Sequence, residues 1–169
     1  MHFFFYIFSV LFCSVLFSML LGNSGITFPL PAAAIFYLGV VYHWRVGVIS
    51  AALTGVTIEM LYGSSTFMPL SLLLIIIIAQ LWLNNYDTKN LSALTVPGAI
   101  IGLILFTPQL SQYQASWSSL FYLTPKLLYS IISMMIITPL TIYLLDKISK
   151  ATGLPQFKEA AIKQIHKKR

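Results

Sequence analysis

Charge is what this chain has least of. Only 8% of its 169 residues are charged while 58% are hydrophobic, and the mean hydropathy is +0.86. An ordinary soluble domain carries roughly 25% charged residues because its surface must face water. So few charges cannot cover a water-facing surface, and lipid is expected to be the main solvent. The length suits one domain, with no room for a separate soluble one. Cysteine is almost absent too, and the single Cys13 excludes a disulfide framework within the chain. Cys13 lies in an apolar run and reads as a small hydrophobe. The bulky Phe12 before it argues against lipoprotein attachment.

Acidic residues number four, and Glu59 alone falls within an apolar stretch, so a two-carboxylate mechanism in the membrane is excluded. The sequence has no GxSxG, no phosphate-binding glycine loop, no HExxH, and no His, Cys, Asp and Glu cluster at metal-ligand spacing. Neither catalysis, a metal nor a cofactor is expected. A membrane enzyme using Ser and His is the third-ranked alternative, and no motif points to it. The net charge of +6 does not indicate nucleic acid, because seven of the ten Lys and Arg fall within residues 147–169. A basic run of that kind on a membrane protein suits anionic lipid or a cytoplasmic partner.

What is abundant is long apolar sequence. A bilayer core about 30 Å thick needs roughly 20 apolar residues per helix. Six segments qualify or come close: about Phe3–Leu21, Phe28–Tyr42, Val46–Leu61, Met68–Leu83, Leu94–Phe106, and one within Leu120–Leu145. The expected fold is an all-α polytopic membrane protein of about six transmembrane helices over residues 1–150, with a basic cytoplasmic tail at 151–169. The first segment lacks a basic leader and a small-x-small cleavage site, so it reads as a retained helix. Pro29 and Pro31 suit a first helical turn, and Pro139 is expected to kink the sixth helix. With the first residue inside, the predicted outer loops carry no Lys or Arg, whereas the inner ones carry Arg45, Lys89 and the basic tail. Lys126 alone falls on the wrong side. This asymmetry predicts both termini in the cytoplasm. Trp44, Trp82, Tyr86, Trp117 and Tyr122 fall near span boundaries, as an aromatic belt requires.

Small residues mark the third helix. Gly47, Ala51, Gly55, Glu59 and Gly63 recur every four residues, making a groove that lets another backbone approach closely. Gly98 and Gly102 form a second, shorter seam in the fifth helix. Both are candidate surfaces for helix packing or for a partner, with packing inside the chain the simpler reading. Glu59 at membrane depth costs a few kcal/mol on insertion scales. It has three readings: a solvated end residue, an ion pair with Lys126 near the outer end of the sixth helix, or a ligand or proton site. In the tail, Phe157, Ala161, Ile162 and Ile165 fall on one helical face, with Lys158, Lys163, Lys167, Lys168 and Arg169 around the other. That pattern suits a short helix on the membrane surface or a disordered orientation signal.

The run Pro31-Ala-Ala-Ala-Ile-Phe-Tyr37, the His43-Trp44-Arg45 hairpin, the glycines 47 and 55, Glu59 and Gly63-Ser64 together resemble the rod shape-determining protein MreD family. The resemblance covers about residues 28–85, with Glu59 where the family would have Asp. It implies a bacterial inner-membrane subunit without catalysis of its own. The implied partners are a bitopic MreC-like scaffold and the peptidoglycan synthase pair that elongates the wall. The implied fold is similar to the substrate-binding components of energy-coupling transporters. An importer's substrate-binding component is the alternative function. It requires polar side chains converging on a pocket, where the sequence offers few beyond Glu59, Gln80 and Lys126.

Overall fold

The apolar stretches fold as helices, and no strand occurs among the described residues. The structure, a computed structural model, describes residues 2–22, 29–42, 44–62, 67–85, 94–110, 117–157 and 159–162. In chain order the helices are α1 (His2–Gly22), α2 (Leu30–Val41), α3 (Trp44–Tyr62), α4 (Met68–Asn85), α5 (Thr95–Leu110) and α6 (Trp117–Ala151). A short helical segment at residues 157 and 159–162 follows. Two stretches, Trp44–Leu61 and Leu123–Ala151, are long and apolar enough to cross a membrane; Phe4–Leu20, Leu30–Val41, Met68–Leu83 and Thr95–Thr107 are shorter.

Local chemistry explains the ends of α2. Pro29 is its N-cap residue and Pro31 sits in the first turn, where a missing N–H costs nothing. The helix closes at Tyr42, which turns extended while its N–H donates to the Leu38 carbonyl at 3.0 Å. Only 12 residues long, α2 spans about 18 Å at 1.5 Å per residue. All of residues 31–41 are buried. The helix forms the axis of the bundle, packing against α1, α3, α4 and α6, while α3 and α4, α4 and α5, and α5 and α6 pair side by side around it.

The sixth helix is longer than the sequence led us to expect. It runs through both Pro125 and Pro139 and continues past Leu145 to Ala151. Its 35 residues would measure about 52 Å, well beyond a bilayer core. What stops it is a Schellman turn. Gly153 adopts a left-handed φ of 69°, the Leu154 N–H donates to the Ser149 carbonyl at 2.9 Å, and the Gly153 N–H to the Lys150 carbonyl at 3.4 Å.

The outward faces are as apolar as the core. On α3, Ile49, Leu53, Val56 and Met60 are exposed, and on α4, Leu70, Leu74, Ile77 and Leu81. Steps of three and four residues place each set on one helical face. In both helices the opposite face is buried, through Ser50, Ala51 and Thr54 on α3 and Leu72, Ile75, Ile76 and Ala79 on α4.

Candidate functional site: the α3–α4 seam and an aromatic seat at the end of α2

The small-residue stripe of α3 is filled by this chain's own helices. A Cβ on Gly55 would collide with the Pro69 backbone, and one on Gly47 would meet Ile76 Cδ1 at 2.9 Å and the Gly39 Cα at 3.2 Å. Ala51 between them is fully buried. The α5 seam is filled in the same way by α6. A Cβ on Gly98 would lie 2.6 Å from the Met134 carbonyl oxygen and one on Gly102 2.7 Å from that of Ser130. The Ser130 hydroxyl also donates to the Gly102 carbonyl at 2.9 Å. At Gly47, Gly55, Gly98 and Gly102 the close approach the spacing predicted is therefore made within the chain, and neither groove is left open there for a second protein. Gly63 lies outside the described residues.

Glu59 has a role that the three sequence readings did not include. Phe67, the residue before α4, takes a positive φ of 50° and has no side chain able to cap a helix. The first N–H groups of a helix have no partner within it. Glu59, from the last turns of α3, supplies one: its Oε1 accepts the Met68 N–H at 2.9 Å. A carboxylate at that position also meets the positive end of the helix dipole. Glu59 and Gly55 thus act on the same first turn of α4, one by capping Met68 and the other by letting Pro69 close. Lys126 is exposed on α6. Because α6 packs on α5 and α2 while α3 packs on α4 and α2, the two helices share no extensive interface. Gln80, the other polar candidate, donates from Nε2 to the Gly39 carbonyl at 3.0 Å, near the end of α2.

A second constellation lies where the start of α1 meets the ends of α2, α4 and α6. Ser149 on α6, completely buried, has its Oγ 2.8 Å from the Tyr6 hydroxyl of α1 and 2.8 Å from the Tyr37 hydroxyl of α2. Tyr6 can donate onward to the Leu145 carbonyl at 3.4 Å, a long contact. The three hydroxyls then form one relay in which Tyr37 donates to Ser149, Ser149 to Tyr6, and Tyr6 to the backbone. Each buried hydroxyl is satisfied, which removes the penalty of burying it.

Beside this relay the chain folds back after the Schellman turn and inserts Phe157. The Phe157 ring stacks on Tyr37 at 5.9 Å and lies 5.7 Å from Trp82 and 6.4 Å from Phe36, distances typical of interacting aromatic pairs. Its N–H donates to Asp146 Oδ1 at 2.6 Å, and Ala160 and Ala161 are buried behind it. Burying one phenyl ring is worth about 1.5–3 kcal/mol, and a helix cap adds about 1 kcal/mol.

Two expectations change here. Trp82 is 3% exposed and belongs to the aromatic seat, not to a boundary belt. The start of the tail does not stand apart from the bundle: Phe157 and Ala161, two residues of its apolar face, are buried in the core, while Ile162 stays exposed. Lys158, Lys163, Lys167, Lys168 and Arg169 lie outside the described residues. The sequence reading missed Tyr6, Tyr37, Asp146 and Ser149 because each looks ordinary alone. The signal available was the Gly153-Leu154-Pro155 stop, which sends the chain back onto the helix end it has just left. Against protein-family models, curated proteins and solved structures alike, the chain matches none.

Proposed function

We propose that this chain is a multi-pass helical membrane protein that acts as a non-catalytic subunit, docking other membrane proteins through its outer faces. The observation that carries the reading is the pair of apolar faces on α3 and α4, one buried and one exposed. In water an exposed apolar surface of that extent marks an interaction site or an aggregation hazard. In lipid it is the ordinary solvent-facing surface. Parity fits both termini lying on one side, and the Lys and Arg asymmetry is what favours the cytoplasmic one. The start of α1 and the end of α6 are joined by the Tyr6–Ser149 hydrogen bond at one end of the bundle, which an even number of crossings requires. The polar side chains at the two constellations are engaged within the fold, Glu59 with α4 and Tyr37 with Ser149. That favours a subunit over an importer's binding component, which needs such groups free for a substrate. The assembly proposed is the rod-shape, cell-wall elongation complex of the bacterial inner membrane, on the residues of α2 to α4 that resemble MreD. Its partners there are an MreC-like scaffold and a peptidoglycan synthase pair.

Purification in mild detergent, with identification of what co-purifies, tests the subunit role. A wall synthase or its scaffold supports it, whereas a transporter ATPase would replace it with the importer reading. Topology is tested by cysteine labelling in intact cells. Ser64→Cys and Ser111→Cys are expected to react with an impermeant reagent and Thr88→Cys to be protected, and the reverse pattern would overturn the orientation.

A further inference from the structure

The glycine seam between α5 and α6 stops short of the end of α5. Gly98 faces Met134 and Gly102 faces Ser130, so the two helices run antiparallel and the next step sets Phe106 level with Lys126. At that level a groove of about 360 Å³ opens between them, walled by Leu103, Phe106 and Thr107 of α5 and by Leu123 and Leu127 of α6. None of the described residues that line it is charged. The Thr107 hydroxyl is spent on its own helix, donating to the Ile104 carbonyl at 2.7 Å. Such a wall offers a polar ligand little to replace its water, and it favours hydrocarbon. The volume falls at the lower end of ligand cavities, roughly 300–1,000 Å³, and suits one slender chain.

The rim differs from the wall. Lys126 is exposed on α6, three residues after Leu123 and one before Leu127. Residues three apart are neighbours on a helix surface, so its stem lies beside the Leu123 wall of the groove. A lysine in that place lays its methylenes along apolar surface and carries its ammonium out to the headgroup level. On the orientation proposed above, every other Lys and Arg of the chain is cytoplasmic, and Lys126 is the one on the outer side. A hydrocarbon wall with a cationic rim is complementary to one kind of molecule, an amphiphile with an anionic head.

We propose that the α5–α6 groove holds one acyl chain of an anionic phospholipid from the outer leaflet, with the lipid phosphate against the Lys126 ammonium. The lipid completes the α5–α6 contact where the glycine seam leaves off.

The proposal rests on the membrane reading, and the two fail differently. If the membrane reading is wrong, the chain stays in solution without detergent. The groove is tested on the full chain, stripped of lipid in a neutral detergent. Phosphatidylglycerol or phosphatidylcholine with the same acyl chains is added, and bound lipid is counted by native mass spectrometry. One phosphatidylglycerol is expected to be held about fivefold more tightly than phosphatidylcholine, the preference that one lysine near an anionic head supplies. Lys126→Gln should bring phosphatidylglycerol down to the phosphatidylcholine level and leave phosphatidylcholine unchanged. Leu103→Trp, which fills the groove from a half-exposed position, should abolish the tightly held lipid of either kind. Thr107→Trp, at another exposed position of the wall, gives the same reading should Leu103→Trp fail to fold. Equal binding of the two lipids by the parent would overturn the proposal. A preference that survives Lys126→Gln would place the anion site elsewhere, the basic run at 147–169 included, and would also overturn it. Lipid retention unchanged by a folded tryptophan variant would mean that the groove is not the seat. Competition by glycerol phosphate at the same concentration would mean that the head alone is bound, which ends the proposal as well.

Discussion

The two ends of the bundle are closed by different means. At the α3–α4 end the contact is backbone against backbone: Gly55 admits Pro69, and Glu59, one turn further along α3, caps Met68. At the other end side chains do the work: three hydroxyls from α1, α2 and α6 share two short hydrogen bonds, and four aromatic rings enclose one another. The backbone contact has no slack, since a missing Cβ is an all-or-none condition. The side-chain closure is built from separable parts and should weaken by degrees.

Gly55→Leu should therefore be the most damaging single change. Its side chain would have to displace the Pro69 backbone, so the loss should reach or exceed the ~3 kcal/mol upper range of ordinary overpacking. It is read as folded protein surviving size-exclusion chromatography in detergent, with the exposed Leu53→Ala as a mild control. A Gly55→Leu protein that assembles normally would refute the close approach. Ser149→Ala comes next. It leaves two buried tyrosine hydroxyls short of a partner, at about 2 kcal/mol, while Tyr37→Phe, which removes one donor and leaves the rest of the relay, should lose about 1 kcal/mol. Thermal unfolding of the three proteins checks the order, and equal melting points for both variants and the parent would mean that the relay contributes nothing.

The smallest effect sharpens the comparison most. If Glu59 serves chiefly as the cap of α4, Glu59→Ala should lose about 1 kcal/mol. Glu59→Gln, which keeps an acceptor oxygen and loses only the charge, should lose about 0.5 kcal/mol. In a double-mutant cycle with Lys126→Met the effects should then add within about 0.5 kcal/mol. Coupling beyond that would reinstate the ion pair, and Glu59 would have to serve α6 as well as α4.

This contrast also marks what the sequence could disclose. Glycines four residues apart lie on one helical face whatever surrounds them, so the seams of α3 and α5 were legible, and so were the six helices in outline. Which helix fills a seam is a tertiary fact, and spacing within α3 says nothing of Pro69. The cap on Met68 was hidden for the same reason, because its donor and acceptor belong to different helices. Tyr6 and Ser149 stand 143 residues apart and neither carries a local signature. The length of α6 was misjudged because its end was set at Leu145, where the apolar run stops, whereas the described helix carries its polar residues on to a glycine that can adopt the left-handed turn.

The short axis helix has a consequence for how the protein is made. A span is ordinarily stable in lipid before it packs with its neighbours. At about 18 Å against a hydrocarbon core of about 30 Å, α2 lacks the length to be such a span. On the membrane reading proposed above, it must be received by other helices as it arrives, and one of them, α6, is synthesised after α1, α3 and α4. Until then one flank of α2 is without its final neighbour. The chain thus passes through a stage at which most of its helices exist and its axis is still unsheathed. At that stage a membrane chaperone or protease would have something to recognise, and the exposure ends once α6 and then Phe157 have closed over α2.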